Sequence, residues 1–210
     1  MCNLYGVRAT AAEIRGYFEA AEQWRREIHD TQANFAGEVY PGYPGLVLAG
    51  DTLRSMVWGF PRKQVSKKTG APIKPRPVNN ARADQLLNPK GMWLPSFLER
   101  RCLIPVTEFA EAEGESGNMT RTWFSLPDQP VFAVAGIWRL TSTWGPAYSM
   151  VMTEACVHVL DVHDRMPVIL RPDQWRAWMD GPPDEARELC VPYAGEMIVS
   201  KTQDPWRIRA

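Results

Sequence analysis

The chain has 210 residues, with 24 basic and 24 acidic side chains, no net charge, and 45% hydrophobic content. That length suits one domain spanning 1–210, and folding at this size buries roughly 70% of the unfolded surface. No apolar run approaches the ~18 residues of a membrane helix, no basic-then-apolar leader opens the chain, and Cys2, Cys102, Cys156 and Cys190 show neither CxxC nor zinc spacing. The expectation is therefore a cytoplasmic protein in a reducing setting, with no membrane contact, no metal and no cofactor. Most of the nine Trp are expected in the core.

In chain order, Thr10-Ala11-Ala12-Glu13 reads as a capping box. Ile14, Phe18, Ala21, Trp24 and Ile28 then recur at helical spacing, which predicts a helix over about 11–28. Residues 32–45 read as loop, with Pro41-Gly42 and Pro44-Gly45. Strands are predicted at 46–49 and 55–60. A proline-rich basic loop follows to Val78, and 79–87 reads as a turn opening a short helix. Further strands are predicted at 102–106, 122–126, 131–140, 147–153 and 167–170. Pro172-Asp173 and Pro183-Asp184 open two helices, and 196–201 reads as a last strand. Many short strands with few helices predict an α+β fold with a mainly antiparallel, barrel-like sheet.

Charge is unevenly placed. Arg62, Lys63, Lys67, Lys68, Lys74, Arg76 and Arg82 occur in one stretch with no acid among them. Such a run fits a nucleic acid or other polyanion. The Lys67-Lys68-Thr69-Gly70 tip reads equally well as a solvated, flexible loop.

Four segments set reactive side chains beside apolar runs. Cys2 follows Met1, so removal of Met1 would leave an α-amine and a thiol on adjacent carbons, titrating near ~8 and ~8.5. An amine condenses with an aldehyde, and the neighbouring thiol then closes a five-membered ring. The other segments are Asn79-Asn80-Ala81-Arg82-Ala83-Asp84, the strand-like run from Arg101 to Glu111, and Val162-His163-Asp164-Arg165-Met166-Pro167. Together they offer a nucleophile, a carboxylate, an imidazole, an amide and two guanidinia, a set sufficient for carbonyl chemistry beside phosphate.

These blocks, in this order and spacing, resemble the SRAP family of abasic-site processing proteins. Met1-Cys2, Asn80-Ala81-Arg82, Arg101-Cys102-Leu103-Ile104-Pro105 and His163-Asp164-Arg165-Met166-Pro167 carry the resemblance, which spans nearly the whole chain. Asn3-Leu4 stands where many members have Gly-Arg. The resemblance implies that Cys2 links covalently to an abasic site in single-stranded DNA through a thiazolidine. It implies that Asn80 holds the opened sugar, Glu111 serves as acid and base, and His163 assists ring opening. Arg82 and Arg165 are then phosphate contacts, and the acid-free charge run adds Arg76 and Lys74 as expected DNA contacts. It also implies an autoprocessing peptidase or lyase-type activity, and a monomer that joins the nucleoid when bound to DNA. Glu108 rivals Glu111 for the acid/base role, and Glu111 fits the block better. Two other readings stay open: an N-terminal-nucleophile thiol hydrolase or peptidase, and a non-catalytic single-stranded-DNA-binding module with exposed Trp as stacking surfaces.

Overall fold

The computed structural model describes residues 2–21, 28–30, 35 and 37–206. The chain opens with β1 (Leu4–Gly6) and helix α1 (Ala11–Glu19). Strands β2 (His29–Asp30), β3 (Glu38–Val39), β4 (Pro44–Ala49) and β5 (Thr52–Trp58) follow. Strands β6 (Phe60–Val65) and β7 (Pro72–Val78) form a hairpin that leads into β8 (Asn80–Arg82). Helix α2 (Leu94–Glu99) precedes β9 (Arg101–Val106), β10 (Glu108–Glu113) and β11 (Thr120–Ser125). Two long strands, β12 (Phe132–Thr141) and β13 (Gly145–Glu154), precede the short β14 (Arg165–Pro167) and β15 (Ile169–Leu170). The chain then forms α3 (Trp175–Asp180), α4 (Pro183–Glu188) and β16 (Ile198–Pro205).

Five strands close on themselves. β4 pairs with β5, β5 with β13, β13 with β12, β12 with β9, and β9 back with β4. All these pairings are antiparallel except β5–β13. A closed sheet leaves no free edge. Closure buries only the inner face of its strands; β9 is buried at all six positions because α2 and α3 also pack against it, and residues 45–49 of β4 form a second buried run. A second, fully antiparallel sheet runs in the order β16-β11-β10-β1-β3. The α+β class and the mainly antiparallel, barrel-like sheet thus match expectation. Trp58, Trp175 and Trp178 are fully buried, and no described tryptophan is fully exposed. Among the described residues, no helix is long and apolar enough to cross a membrane.

Helix α1 is shorter than its periodicity implies. Its capping box forms as read: the Glu13 amide donates to Thr10 Oγ1 at 3.2 Å and the Thr10 amide to Glu13 Oε2 at 2.7 Å. Its C-cap is Ala20, and Ile28 is buried outside any helix. Trp24 lies outside the described residues.

The larger correction concerns 61–78. The proline-rich segment is a two-stranded antiparallel ribbon, with Phe60 opposite Val78, Pro61 opposite Pro77 and Arg62 opposite Arg76. A ribbon with two free edges tolerates prolines, because amides on its outer sides need no partner. At its base, Gly59 has φ +115°, and a Cβ there would lie 2.5 Å from Pro77 Cβ, so only glycine fits. Three further details depart from the reading. Asn80–Arg82 is a strand, followed by a 3-10 turn over Ala83–Gln85. Glu108–Glu113 is a strand of its own in the second sheet, not the end of β9. Helix α2 was not foreseen.

Candidate active site

Cys2 sits just before β1, fully buried, and its thiol donates to the Leu4 carbonyl at 3.4 Å. Two neighbouring amides hold its peptide group. Asn79 Nδ2 donates to the Cys2 carbonyl at 3.0 Å and Asn80 Nδ2 to the same oxygen at 2.7 Å. Asn79 is itself fixed: its carbonyl accepts from Trp58 Nε1 at 3.0 Å and from the Met150 amide at 2.9 Å. Asn80 Oδ1 is buried with no hydrogen-bond partner among the described residues. A buried amide oxygen left so is costly unless a ligand completes it. Met1 lies outside the described residues.

Behind Cys2, the hydroxyls of Tyr5 and Tyr148 hydrogen-bond to each other in full burial. They pass over Gly45, where a Cβ would lie 2.1 Å from both oxygens. Burial pushes both phenols above their ordinary 10.0. Tyr5 lies in β1 and Tyr148 in β13, so this buried pair ties the two strands together.

Glu111 lies within β10, 2% exposed, two strands from the sheet edge formed by β16. Burial pushes its carboxyl from 4.5 up to about 7, and the Asp164 charge acts in the same direction. Cys2 feels both burial and the Glu111 charge, and its thiol is held well above its ordinary 9.0. The rival carboxylates serve elsewhere. Glu108 pairs with Arg8 at 2.6 Å at the other end of β10, and Glu113 pairs with Lys201 and Thr122. Position along one strand, which sequence alone did not show, therefore sets Glu111 apart as the buried carboxylate whose charge acts on Cys2.

His163 precedes β14. Its Nδ1 accepts from the Arg165 amide at 2.9 Å, with Asp164 Oδ1 at 3.0 Å. An accepting Nδ1 puts the neutral ring's proton on Nε2. Burial lowers the imidazole from 6.5 and so favours the neutral ring, against the Asp164 charge.

Strand β13 draws the remaining segments together. Its C-terminal half pairs with β8 through Met152 and Arg82, and with β14 through Glu154 and Arg165. The two arginines thus flank one strand. Arg82 is half exposed and clasps Asp84 with both oxygens, at 3.0 and 2.7 Å. The Arg165 guanidinium has no hydrogen bond or ion pair to a described residue. The Asp164 charge is felt at Glu111, His163 and Arg82, so these segments converge. Lys74 and Arg76 stand apart, exposed on β7. Arg101, by contrast, is structural. It is buried, and it donates to the carbonyls of Phe97, Trp178 and Gly181, tying β9 to the ends of α2 and α3.

Asn79 and Asp164 were not singled out as site residues by sequence. The Asn-Asn doublet and the carboxylate wedged between His163 and Arg165 were the available signals. Among the described residues, no group of three or more His, Cys, Asp or Glu is placed to hold a metal ion.

The model of a family described as SOS response associated peptidase (SRAP) matches residues 1–204. The abasic site processing protein YoaM of Bacillus subtilis is 32% identical over 122 residues, covering 54% of this chain and 53% of that protein. The abasic site processing protein YoqW of the same species is 30% identical over 122 residues, with 54% of each covered. The chain thus spans about half the length of the curated relatives it matches. In fold, it is similar to a crystal structure from Bordetella bronchiseptica, with a TM-score of 0.75 and 20% identity over 96% of this chain and 99% of that one. A Bacteroides thetaiotaomicron structure gives 0.72 and 19%, over 95% and 91%.

Proposed function

The chain belongs to the SRAP family, and from that premise we propose that it processes abasic sites in single-stranded DNA by forming a thiazolidine crosslink through Cys2. The observation that carries this reading is the burial of Glu111 beside Cys2, with a carboxyl poised at about 7. The names of the Bacillus relatives supply the substrate.

The chemistry follows from these groups. Once Met1 is removed, the Cys2 amine adds to the aldehyde of the opened abasic sugar. Protonated Glu111 gives its proton to the carbinolamine hydroxyl, water leaves, and an iminium remains. The Cys2 thiol then passes its proton to the Glu111 carboxylate as sulfur bonds to the iminium carbon. The ring closes and Glu111 recovers its acid form. A carboxyl near 7 supports both transfers, since it is part acid and part base at neutral pH. Asn79 and Asn80 hold the Cys2 peptide in place while Asn80 Oδ1 accepts from a sugar hydroxyl. His163 donates from Nε2 to the sugar's ring oxygen as it opens. Arg165 takes a phosphate directly; Arg82 does so by exchanging Asp84 for phosphate.

A thiol hydrolase needs its sulfur deprotonated by a nearby base, an imidazole or the Cys2 α-amine itself. Here the sulfur donates to a backbone carbonyl and stays protonated, which favours the addition chemistry. The test is a denaturing gel of the protein mixed with single-stranded DNA bearing one abasic site. A heat-stable band is expected from wild type, with an intact mass lacking Met1. Cys2→Ala should lose the band and keep noncovalent binding. A full-strength band from protein retaining Met1 would overturn the thiazolidine. His163→Ala should still form the crosslink but change its rate of reversal.

A further inference from the structure

The β6–β7 ribbon carries Arg62, Lys63, Lys67, Lys68, Lys74 and Arg76 and no acid. All six are exposed, and none forms an ion pair with a described residue. Arg62 and Arg76 are directly opposite across the ladder. Like charges in that position oppose pairing unless an anion lies between them. Their planar forks suit phosphate oxygens. Pro72, Pro75 and Pro77 remove amides from β7, and Pro61 removes one from β6. The ribbon is thus poorly built to accept another protein strand at its edges.

The ribbon also rises from the reactive corner. β7 runs into Asn79 and Asn80, which hold Cys2, and Ser149 Oγ donates to the Val78 carbonyl at 2.8 Å at its base. At about 3.3 Å per residue, Arg76 lies at most ~13 Å along the chain from Asn80. That is the reach of a phosphate about two to four nucleotides away, at ~3.4 Å or more per nucleotide.

We infer that Arg62 and Arg76 form a phosphate clamp that holds the DNA strand on one side of the reacting sugar, so that the ribbon serves as a guide for one flank only. This rests on the function proposed above, and deepens it by adding Arg62 and a direction. Val65 and Ile73, 62% and 48% exposed near the tip, make an anionic membrane the competing occupant. Attachment of the ribbon to the corner that holds Cys2 favours DNA.

Unmodified oligothymidylate is titrated by fluorescence anisotropy over a range of salt, with wild type, R62A/R76A and R62K/R76K. The alanine variant should bind at least tenfold more weakly at low salt. Its salt slope should be shallower by about 0.7 to 1.4, from one or two phosphates released. The lysine variant should keep the slope. Wild-type affinity and slope in R62A/R76A overturn the clamp. Abasic oligonucleotides shortened on one side or the other then test direction. The alanine variant should match wild type on one shortened substrate and fall behind on the other; an equal deficit on both overturns the one-sided guide. Vesicles of phosphatidylserine and phosphatidylcholine that bind wild type but not R62A/R76A, with DNA binding unchanged, would assign the ribbon to a membrane. If wild type itself fails to crosslink, the function proposed above falls while the oligothymidylate result still decides the clamp.

Discussion

The reactive corner and the basic ribbon adjoin through Val78-Asn79, yet they use charge in opposite ways. In the corner, burial sets everything. Cys2 and Glu111 are 0% and 2% exposed, and loss of water pushes the Glu111 carboxyl up to about 7. On the ribbon the cations are solvated and act through number and spacing, which salt screens. The contrast teaches that burial governs proton affinity in the corner, whereas on the ribbon exposed like charges govern the attraction for anions. Changes in the corner should alter rates and pH dependence. Changes on the ribbon and its margins should alter affinity and salt dependence.

The sharpest test of that division is Glu111→Gln, which should slow crosslinking by roughly 100-fold or more while oligothymidylate affinity is kept. Single-turnover rates on a denaturing gel measure it. In wild type, the rate should fall as pH rises through about 7, because the acid form of Glu111 is lost; the variant should lack that falling limb. Stability follows the same proton. Folded Glu111 holds it up to about 7, whereas the unfolded chain releases it near 4.5. Its contribution is full below about 4.5 and is lost as pH rises to about 7. The Tm of wild type should therefore fall as pH rises across that window relative to that of Glu111→Gln. Parallel curves would show that Glu111 is not held up by burial.

Arg101→Lys should cost stability and no chemistry. A lysine cannot reach three carbonyls in the same fork, and lost charge-assisted bonds are worth about 2 kcal/mol. A fall in Tm of roughly 4–8 °C is expected at this chain length, with an unchanged crosslinking rate per folded molecule. A rate loss at full folding would move Arg101 into the reactive set.

The smallest effect is expected at Asp84→Asn. It releases Arg82 from an exposed pair worth at most about 1 kcal/mol. Oligothymidylate binding should tighten up to about fivefold at low salt, and crosslinking at saturating DNA should not change. Weaker binding would mean that Asp84 positions Arg82 for phosphate rather than competing for it.

Much of the site was legible because it lies in short contiguous blocks. Met1-Cys2, Asn80 to Arg82 and His163 to Arg165 pointed to a set that the structure does bring into electrostatic contact. The capping box at Thr10 was equally legible, since it depends on residues three apart. The length of α1 was not, because periodicity cannot show where a chain leaves a helix to enter a sheet. The ribbon at 61–78 was misread as loop because proline penalises a strand inside a sheet but not one with a free edge.

The sequence by itself determined the α+β class, the burial of most tryptophans, the reactive residue types and the acid-free charge run. These depend on composition, alternation and local spacing, which a linear chain displays. Only the tertiary structure separated the three carboxylates of β10. Glu108, Glu111 and Glu113 lie on one strand, yet only Glu111 is buried beside Cys2. It likewise decided that two adjacent asparagine amides meet on the Cys2 carbonyl, and that Arg62 faces Arg76. Burial, strand register and closure of the five-strand sheet are relations between distant residues. They fix pKa values and partners only once the chain has folded.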